Sequence, residues 1–302
     1  MPTRADEAVI IEVAVNGVTT KDRNPHVPIS IDEIVEVALD CIGAGAQIVH
    51  QHDDLGRSGG MGGASPEEMA KRSLAVYEAV LAVYPDAILY PTANWDGGIE
   101  HRWAHHSILA ESGTLRAAYV DPGSVNLGGS DAEGLPSGEL GFVYENSFAD
   151  VRWLFEQCRR LRVGPSMAIY EPGFLRTVLA YERAGRLPAG ALAKLYFGGA
   201  VIFGLPPCRA SLDAYLAMLD GSRMPWAVSV LGGDIVESGV ARMALEAGGH
   251  LRVGLEDHAG ARQPSNRELL DEALALCAEV GRPVATRAQP AEILGLPRPP
   301  AA

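Results

Sequence analysis

Two short segments of the chain carry residue types that could hold a metal ion. His50-Gln51-His52 ends the apolar run Ala46-Gln47-Ile48-Val49. Side chains on an extended strand alternate faces, so His50 and His52 point the same way and present two imidazoles at one strand end. Such a pair suits zinc or a similar divalent ion. Far along the chain, Leu251-Arg252-Val253-Gly254-Leu255 runs into Glu256-Asp257-His258, a second strand ending in acids. Glu256 is assigned to the metal as a third ligand, which leaves Asp257 as a general base. Neighbouring side chains face opposite ways on a strand, so both acids reach one pocket only if the strand ends there and the chain turns. Capping a helix is the plainer role for Asp257.

Glu12 is the one carboxylate in the apolar stretch Val9 to Val15. A charge in such a strand is costly unless paired or hydrogen-bonded. It reads either as an ion pair filling the interior or as a substrate-contacting acid beside the metal. Arg252 shares parity with Gly254 and Glu256 and so faces the same interior. There it could clamp a carboxylate, anchor an acid, or pair with Glu12. Asp53 and Asp54 follow the histidines, where they could support one of them or simply start a solvated loop. His101, His105 and His106 have no partner strand and read as surface or loop histidines.

The elements that must position these residues alternate. Strands are predicted at Ala8 to Val15, Gln47 to His52, Ala87 to Pro91, Ala117 to Asp121, Ser166 to Tyr170, Ala193 to Phe197, Trp226 to Val230 and Leu251 to Leu255. Val201 to Gly204 could extend the sixth. Helices are predicted at Ile31 to Gly43 after Ser30, from Pro66 after Ser65, within Ile99 to Glu111, and at Phe148 to Leu161. Further helices are expected over Phe174 to Ala184, Ser211 to Asp220, Ile235 to Ala247 and Asn266 to Val280. Gly123 to Gly141 reads as a long Gly-rich loop. Eight strand–helix units in roughly 250 residues indicate an α/β fold, a (β/α)8 TIM barrel forming a single domain over 1–302, with 1–7 and 290–302 as peripheral termini. A doubly wound sheet is the alternative. In a closed barrel the eighth strand pairs with the first and the first with the second. His50, His52 and Glu256 then meet at the C-terminal face across about 200 residues of sequence. Small polar residues and glycines in Pro91 to Gly98 and Asp121 to Leu127 would complete the pocket or make ordinary turns, and Leu231 to Asp234 occupies the barrel's usual phosphate position.

Composition narrows the partners. A net charge of −13 argues against nucleic acid and anionic membranes, which demand clustered Lys and Arg. The four cysteines are widely spaced, form no paired motif, and read as reduced and buried in a cytoplasmic protein. No signal peptide opens the chain, and no run of about 18 apolar residues could span a bilayer. No GxSxG or nucleotide-binding Gly motif appears.

The segments Glu12-Val-Ala-Val-Asn-Gly17, Asn24-Pro-x-x-Pro28, Gly43 to His52, Pro122-Gly-Ser-Val-Asn126 and Arg252-Val-Gly-Leu-Glu-Asp257 together resemble the β-keto acid cleavage enzymes, a group that includes the 3-keto-5-aminohexanoate cleavage enzyme. The resemblance runs from about Val9 to the closing helix. It implies a zinc-dependent barrel that joins a β-keto acid to acetyl-CoA, giving acetoacetate and a new CoA thioester. By position, His50, His52 and Glu256 would hold Zn2+, Asp257 would be the base with Arg252 supporting it, and Glu12 would help bind substrate. Thr92, Asn94, Ser124 and Asn126 fall where substrate-contacting loop residues are expected. The chain departs from the pattern at Asp53-Asp54, where many relatives have an Arg, and in a longer, more aromatic Trp95–His106 segment. The open alternatives are a metal-dependent barrel hydrolase, which needs further histidines after later strands, and a non-catalytic zinc- or ligand-binding barrel. A closed homo-oligomer is the default expectation.

Overall fold

Eight parallel strands are arranged in the order β3-β2-β1-β10-β9-β8-β7-β4. The computed structural model describes residues 7–52, 64–95 and 97–297. The strands are β1 (Ile11–Ala14), β2 (Ile48–Gln51), β3 (Ile88–Pro91), β4 (Ala117–Val120), β7 (Gly164–Ile169), β8 (Leu192–Gly198), β9 (Trp226–Leu231) and β10 (His250–Val253). They run as near-continuous apolar segments because both faces are covered, by packed side chains within and helices outside. The first and last strands pair as closure demands, with Glu12 opposite Arg252 and Ala14 opposite His50. β3 and β4 stand at the two ends of the order and complete a nearly closed (β/α)8 barrel.

The helices start where local chemistry puts them. Ser30, Ser147 and Ser265 each accept from a backbone N–H three residues on, and the acid at that third position bonds back. These caps open α1 (Ile31–Ala44), α4 (Phe148–Leu161) and α8 (Asn266–Val280). Ser65 with Pro66 opens α2 (Pro66–Val83), and α3 (Ile99–Glu111), α5 (Pro172–Arg183) and α6 (Arg209–Met218) cover the later strands. Among the described residues no helix is long and apolar enough to cross a membrane.

Several expectations need correction. Gly123 to Gly141 is largely a hairpin: β5 (Val125–Ser130) pairs antiparallel with β6 (Pro136–Tyr144). Val125 and Leu127 alternate inward, which the glycines between Gly128 and Gly141 mask in the sequence. Val201 to Gly204 does not extend β8; only Ile202 bridges to Gly128 of the hairpin. The seventh helix is short, α7 (Val240–Glu246), because Asp234 takes the N–H groups of Val236 and Glu237 into a turn first. Of residues 290–302, expected at the periphery, the described part 290–297 carries most of α9 (Gln289–Ile293) and buries Leu294 and Leu296. Cys208 is exposed at the start of α6, whereas Cys41, Cys158 and Cys277 are buried.

Candidate active site

Strand ends β1, β2 and β10 carry the residues singled out in the sequence, and the barrel brings them together. Ligand atoms of His50, His52 and Glu256 lie within 4.8 Å of one another, at the C-terminal face. His50 Nδ1–H donates to the Tyr90 carbonyl at 3.2 Å, which fixes the tautomer and leaves Nε2 as a lone pair. That Nε2 is 3.2 Å from Glu256 Oε2, and His52 Nε2 is 3.4 Å from Oε1. Glu256 Oε2 is buried and accepts no hydrogen bond. Two imidazole lone pairs and one carboxylate converging on a single point make a three-ligand set that fits zinc and leaves coordination positions free. Among the described residues no further histidine or acid joins the set.

Two glycines and an asparagine build this geometry. Gly254 ends β10 with φ +130°, and a Cβ there would sit 2.1 Å from the Ala14 carbonyl oxygen. The turn it permits sends Glu256 into the barrel mouth and Asp257 back toward Arg252. Gly17 has φ +55°, and a Cβ there would sit 2.3 Å from Glu256 Cγ. Asn16 Oδ1 accepts from the His52 N–H at 2.8 Å, while its Nδ2 donates to the His52 and Pro28 carbonyls. Position Asn16 lies inside a segment quoted above, yet its polar side chain in an apolar strand end was its only signal.

Below the ligands lies a buried ionic network. Arg252, 1% exposed, donates through Nη1 to Glu12 Oε1 at 2.6 Å, through Nε to Asp257 Oδ2 at 2.7 Å, and its Nη2 is 2.9 Å from Glu256 Oε1. Ser229 Oγ also donates to Asp257 Oδ2, at 2.7 Å. Tyr90 Oη donates to Glu12 Oε1 at 2.6 Å, and Lys194 Nζ donates to Tyr90 Oη at 2.6 Å. Burial works against the Glu12 charge, but Lys194, Arg252 and His50 outweigh it and hold the carboxyl at about 2. Burial also opposes the Glu256 charge, and Arg252 with the two imidazoles holds it well below the usual range. Burial wins at Asp257, raising its pKa against the pull of Arg252 and with the push of Glu256. The same carboxylic chemistry is thus split into an ionised ligand and a more basic neighbour.

A cavity of about 530 Å³ opens above, lined by His50, His52, Glu256, Arg252, Lys194 and Thr92 among others. Its wall is aromatic: Trp95, Phe142 and Tyr144 pack ring to ring, and Tyr170 bridges Tyr144 to Tyr196. Asp121 faces the same space, its carboxyl pushed up to about 6 by burial against a Tyr144 hydrogen bond and the Lys194 charge.

Not every expected residue reaches this cavity. Glu12 lies beneath it, enclosed by Arg252, Tyr90 and Lys194, and Asp257 lies behind Arg252. Asn94 turns away: its Nδ2 donates to the Ala64 carbonyl and its Oδ1 accepts from Trp95 N–H. Ser124 exchanges hydrogen bonds with the Asn146 backbone, and Asn126 is exposed on the outer face of β5, opposite to Val125 and Leu127. Asp53 and Asp54 fall outside the described residues. His105 and His106 are fully buried rather than superficial, donating through Nε2 to the Thr92 and Pro91 carbonyls where β3 ends. Lys194 and Ser229 went unnoticed in the sequence. Lys194 carried the same signal as Glu12, a single charge within the apolar strand Leu192 to Phe197.

Known proteins resemble this chain over nearly its whole length. The 3-oxoadipate:acetyl-CoA acetyltransferase of Cupriavidus necator is 31% identical over 299 residues, covering 95% of each chain. A 3-keto-5-aminohexanoate cleavage enzyme of Acetoanaerobium sticklandii is 26% identical over 96% of this chain and 99% of its own. Among solved structures, apo ObcA superposes with a TM-score of 0.66 at 18% identity, covering 91% of this chain and 66% of that one, a likeness of fold. Residues 8–296 match the family model described as beta-keto acid cleavage enzyme, and the chain belongs to that family.

Proposed function

We propose that this protein is a zinc-dependent acyltransferase that condenses a β-keto acid with acetyl-CoA, giving acetoacetate and the CoA thioester of the remaining acyl group. The observation that carries the reading is the convergence of His50, His52 and Glu256 on the cavity at the barrel mouth, with Arg252 against both Glu256 and Asp257. The names of the two enzymes most informative for this site, an acetyl-CoA acetyltransferase and a β-keto acid cleavage enzyme, support it. A divalent ion held by the three ligands would polarise the ketone oxygen and favour the enolate that C–C cleavage requires.

The chain's own residues then have separate tasks. Asp257, which lies behind Arg252, would receive through that guanidinium the proton lost from the carbon between ketone and carboxylate. Its Oδ2 is committed to Arg252 Nε and Ser229 Oγ, whereas Oδ1 has only a 3.3 Å contact with Arg252 Nη2, so Oδ1 is the atom for that proton. Its raised pKa suits it to the task. Arg252 orients Asp257 and Glu256 together, and Glu12 holds Arg252 from below, which makes Glu12 a positioning residue. Thr92 borders the substrate, and the aromatic wall excludes water. A homo-oligomer in the cytoplasm, where acetyl-CoA is available, completes the proposal.

Incubating zinc-loaded protein with acetyl-CoA and a panel of β-keto acids, with mass spectrometry of the products, tests this. Acetoacetate and a matching new thioester should appear together and vanish on chelation. Tight zinc binding without a thioester from any acid would overturn the reading.

A further inference from the structure

Lys194 has no part in the steps above, yet it is a buried cation lining the cavity. It is 3% exposed and sits on β8 with an alanine on each neighbouring strand, Ala168 on β7 and Ala227 on β9. Ala168 and Lys194 both line the cavity, so the small flanking side chain leaves a recess beside the ammonium. Nζ donates to Tyr90 Oη at 2.6 Å and approaches Glu12 Oε1 at 3.5 Å. An ammonium has three N–H bonds; these two partners leave one without an acceptor among the described residues. Lys194 helps hold the Glu12 charge from 3.5 Å, but the short hydrogen bonds to that oxygen come from Arg252 and Tyr90, both at 2.6 Å, so Nζ keeps a donor for another acceptor.

The position relative to the metal ligands is set by Tyr90. The His50 ring centroid is 4.5 Å from the Tyr90 ring centroid, and Lys194 Nζ is 5.0 Å from it. His50 and Lys194 therefore both lie against one aromatic ring, at most 9.5 Å apart by these two distances, a span within reach of a short acyl chain. Of the other charged groups lining the cavity, Arg252 and Glu256 are paired with each other, Arg23 is exposed, and Asp121 is engaged by the Tyr144 hydroxyl and the Ala168 backbone.

We infer that Lys194 anchors a second carboxylate, so that the preferred substrate is a short β-keto dicarboxylic acid with its ketone at the metal ligands and its distal carboxylate on Nζ. The inference rests on the acyl-transfer reading and adds the substrate class to it. The name of the Cupriavidus necator relative, which specifies a keto diacid, is consistent with it.

The test compares 3-oxoadipate with 3-oxohexanoate, of equal chain length but without the second carboxylate, in wild type, K194Q and K194R. A charge-assisted hydrogen bond to Nζ predicts a kcat/KM ratio of about 10- to 100-fold in favour of the diacid. K194Q should collapse that ratio and K194R should restore part of it, whereas a purely structural role would lower both substrates alike. A wild-type ratio near one, or a ratio unchanged in K194Q, overturns the anchor and leaves the acyl-transfer reading standing. If neither acid turns over, the full panel of β-keto acids judges that reading. Calorimetric binding then decides the anchor alone: tighter binding of 3-oxoadipate than 3-oxohexanoate, lost in K194Q, supports it, and equal binding refutes it.

Discussion

His50 and His52 were legible in the sequence because strand alternation makes a two-residue spacing a statement about direction. Glu256 and Asp257 were legible as acids but not in their division of labour, since that depends on the turn at Gly254 and on Arg252, whose guanidinium touches both. Asp257→Asn keeps the shape and the Ser229 contact but removes the proton acceptor. It should therefore retain metal by elemental analysis while turnover falls about 10²- to 10⁴-fold; near-normal turnover would assign the base elsewhere. His52→Ala should lose metal and turnover together. Asn16 acts one step further out: it grips the backbone of His52 on both its N–H and its carbonyl. Asn16→Ala should weaken zinc about 10- to 100-fold in competition with a chromophoric chelator, the usual cost of removing support from a ligand.

At the scale of elements, serine caps and apolar strands announced themselves locally, and α1, α4 and α8 start where Ser30, Ser147 and Ser265 place them. Helix α3 was legible as a helix but its buried face was not, because histidines look polar until the fold gives them carbonyls to cap. His105 and His106 are fully enclosed beside Trp103 and Tyr119. Burial lowers His105 to about 4, against the hydrogen bond to Thr92, and lowers His106 well below its ordinary value. Both are neutral in the folded protein, so their contribution is complete above the unfolded value of about 6.5 and is lost as pH falls toward 4. The unfolded chain takes up protons in that window and the folded chain does not. For His105 this amounts to a loss on the order of 3 kcal/mol. Urea melts at stepped pH should show unfolding free energy falling between pH 6.5 and 4. His105→Gln, which can still donate to the Thr92 carbonyl, should have a shallower slope; an identical slope would mean His105 titrates freely.

At the scale of the whole molecule, closure is what converts distant letters into a site. An open sheet has no reason to bring residue 256 to residues 50 and 52, but pairing β10 with β1 and β1 with β2 leaves no other arrangement of those strand ends. The strand–helix rhythm made closure legible, whereas Lys194, Tyr90 and Ser229 gain meaning only once three strands from different parts of the chain face one axis. The same connectivity makes the metal ligands a clasp: they tie the end of β2 to the turn after β10, across β1, and so brace the seam where β1 pairs with β10. An ion bound there binds the folded chain and not the unfolded one. At a hundredfold excess over its dissociation constant it should stabilise the fold by about 2.7 kcal/mol. Chelation should therefore lower the thermal midpoint by a few degrees, and restored zinc should return it. Glu256→Gln should melt at one temperature with or without zinc. A midpoint in the wild-type protein indifferent to zinc would mean that these three residues do not hold the ion.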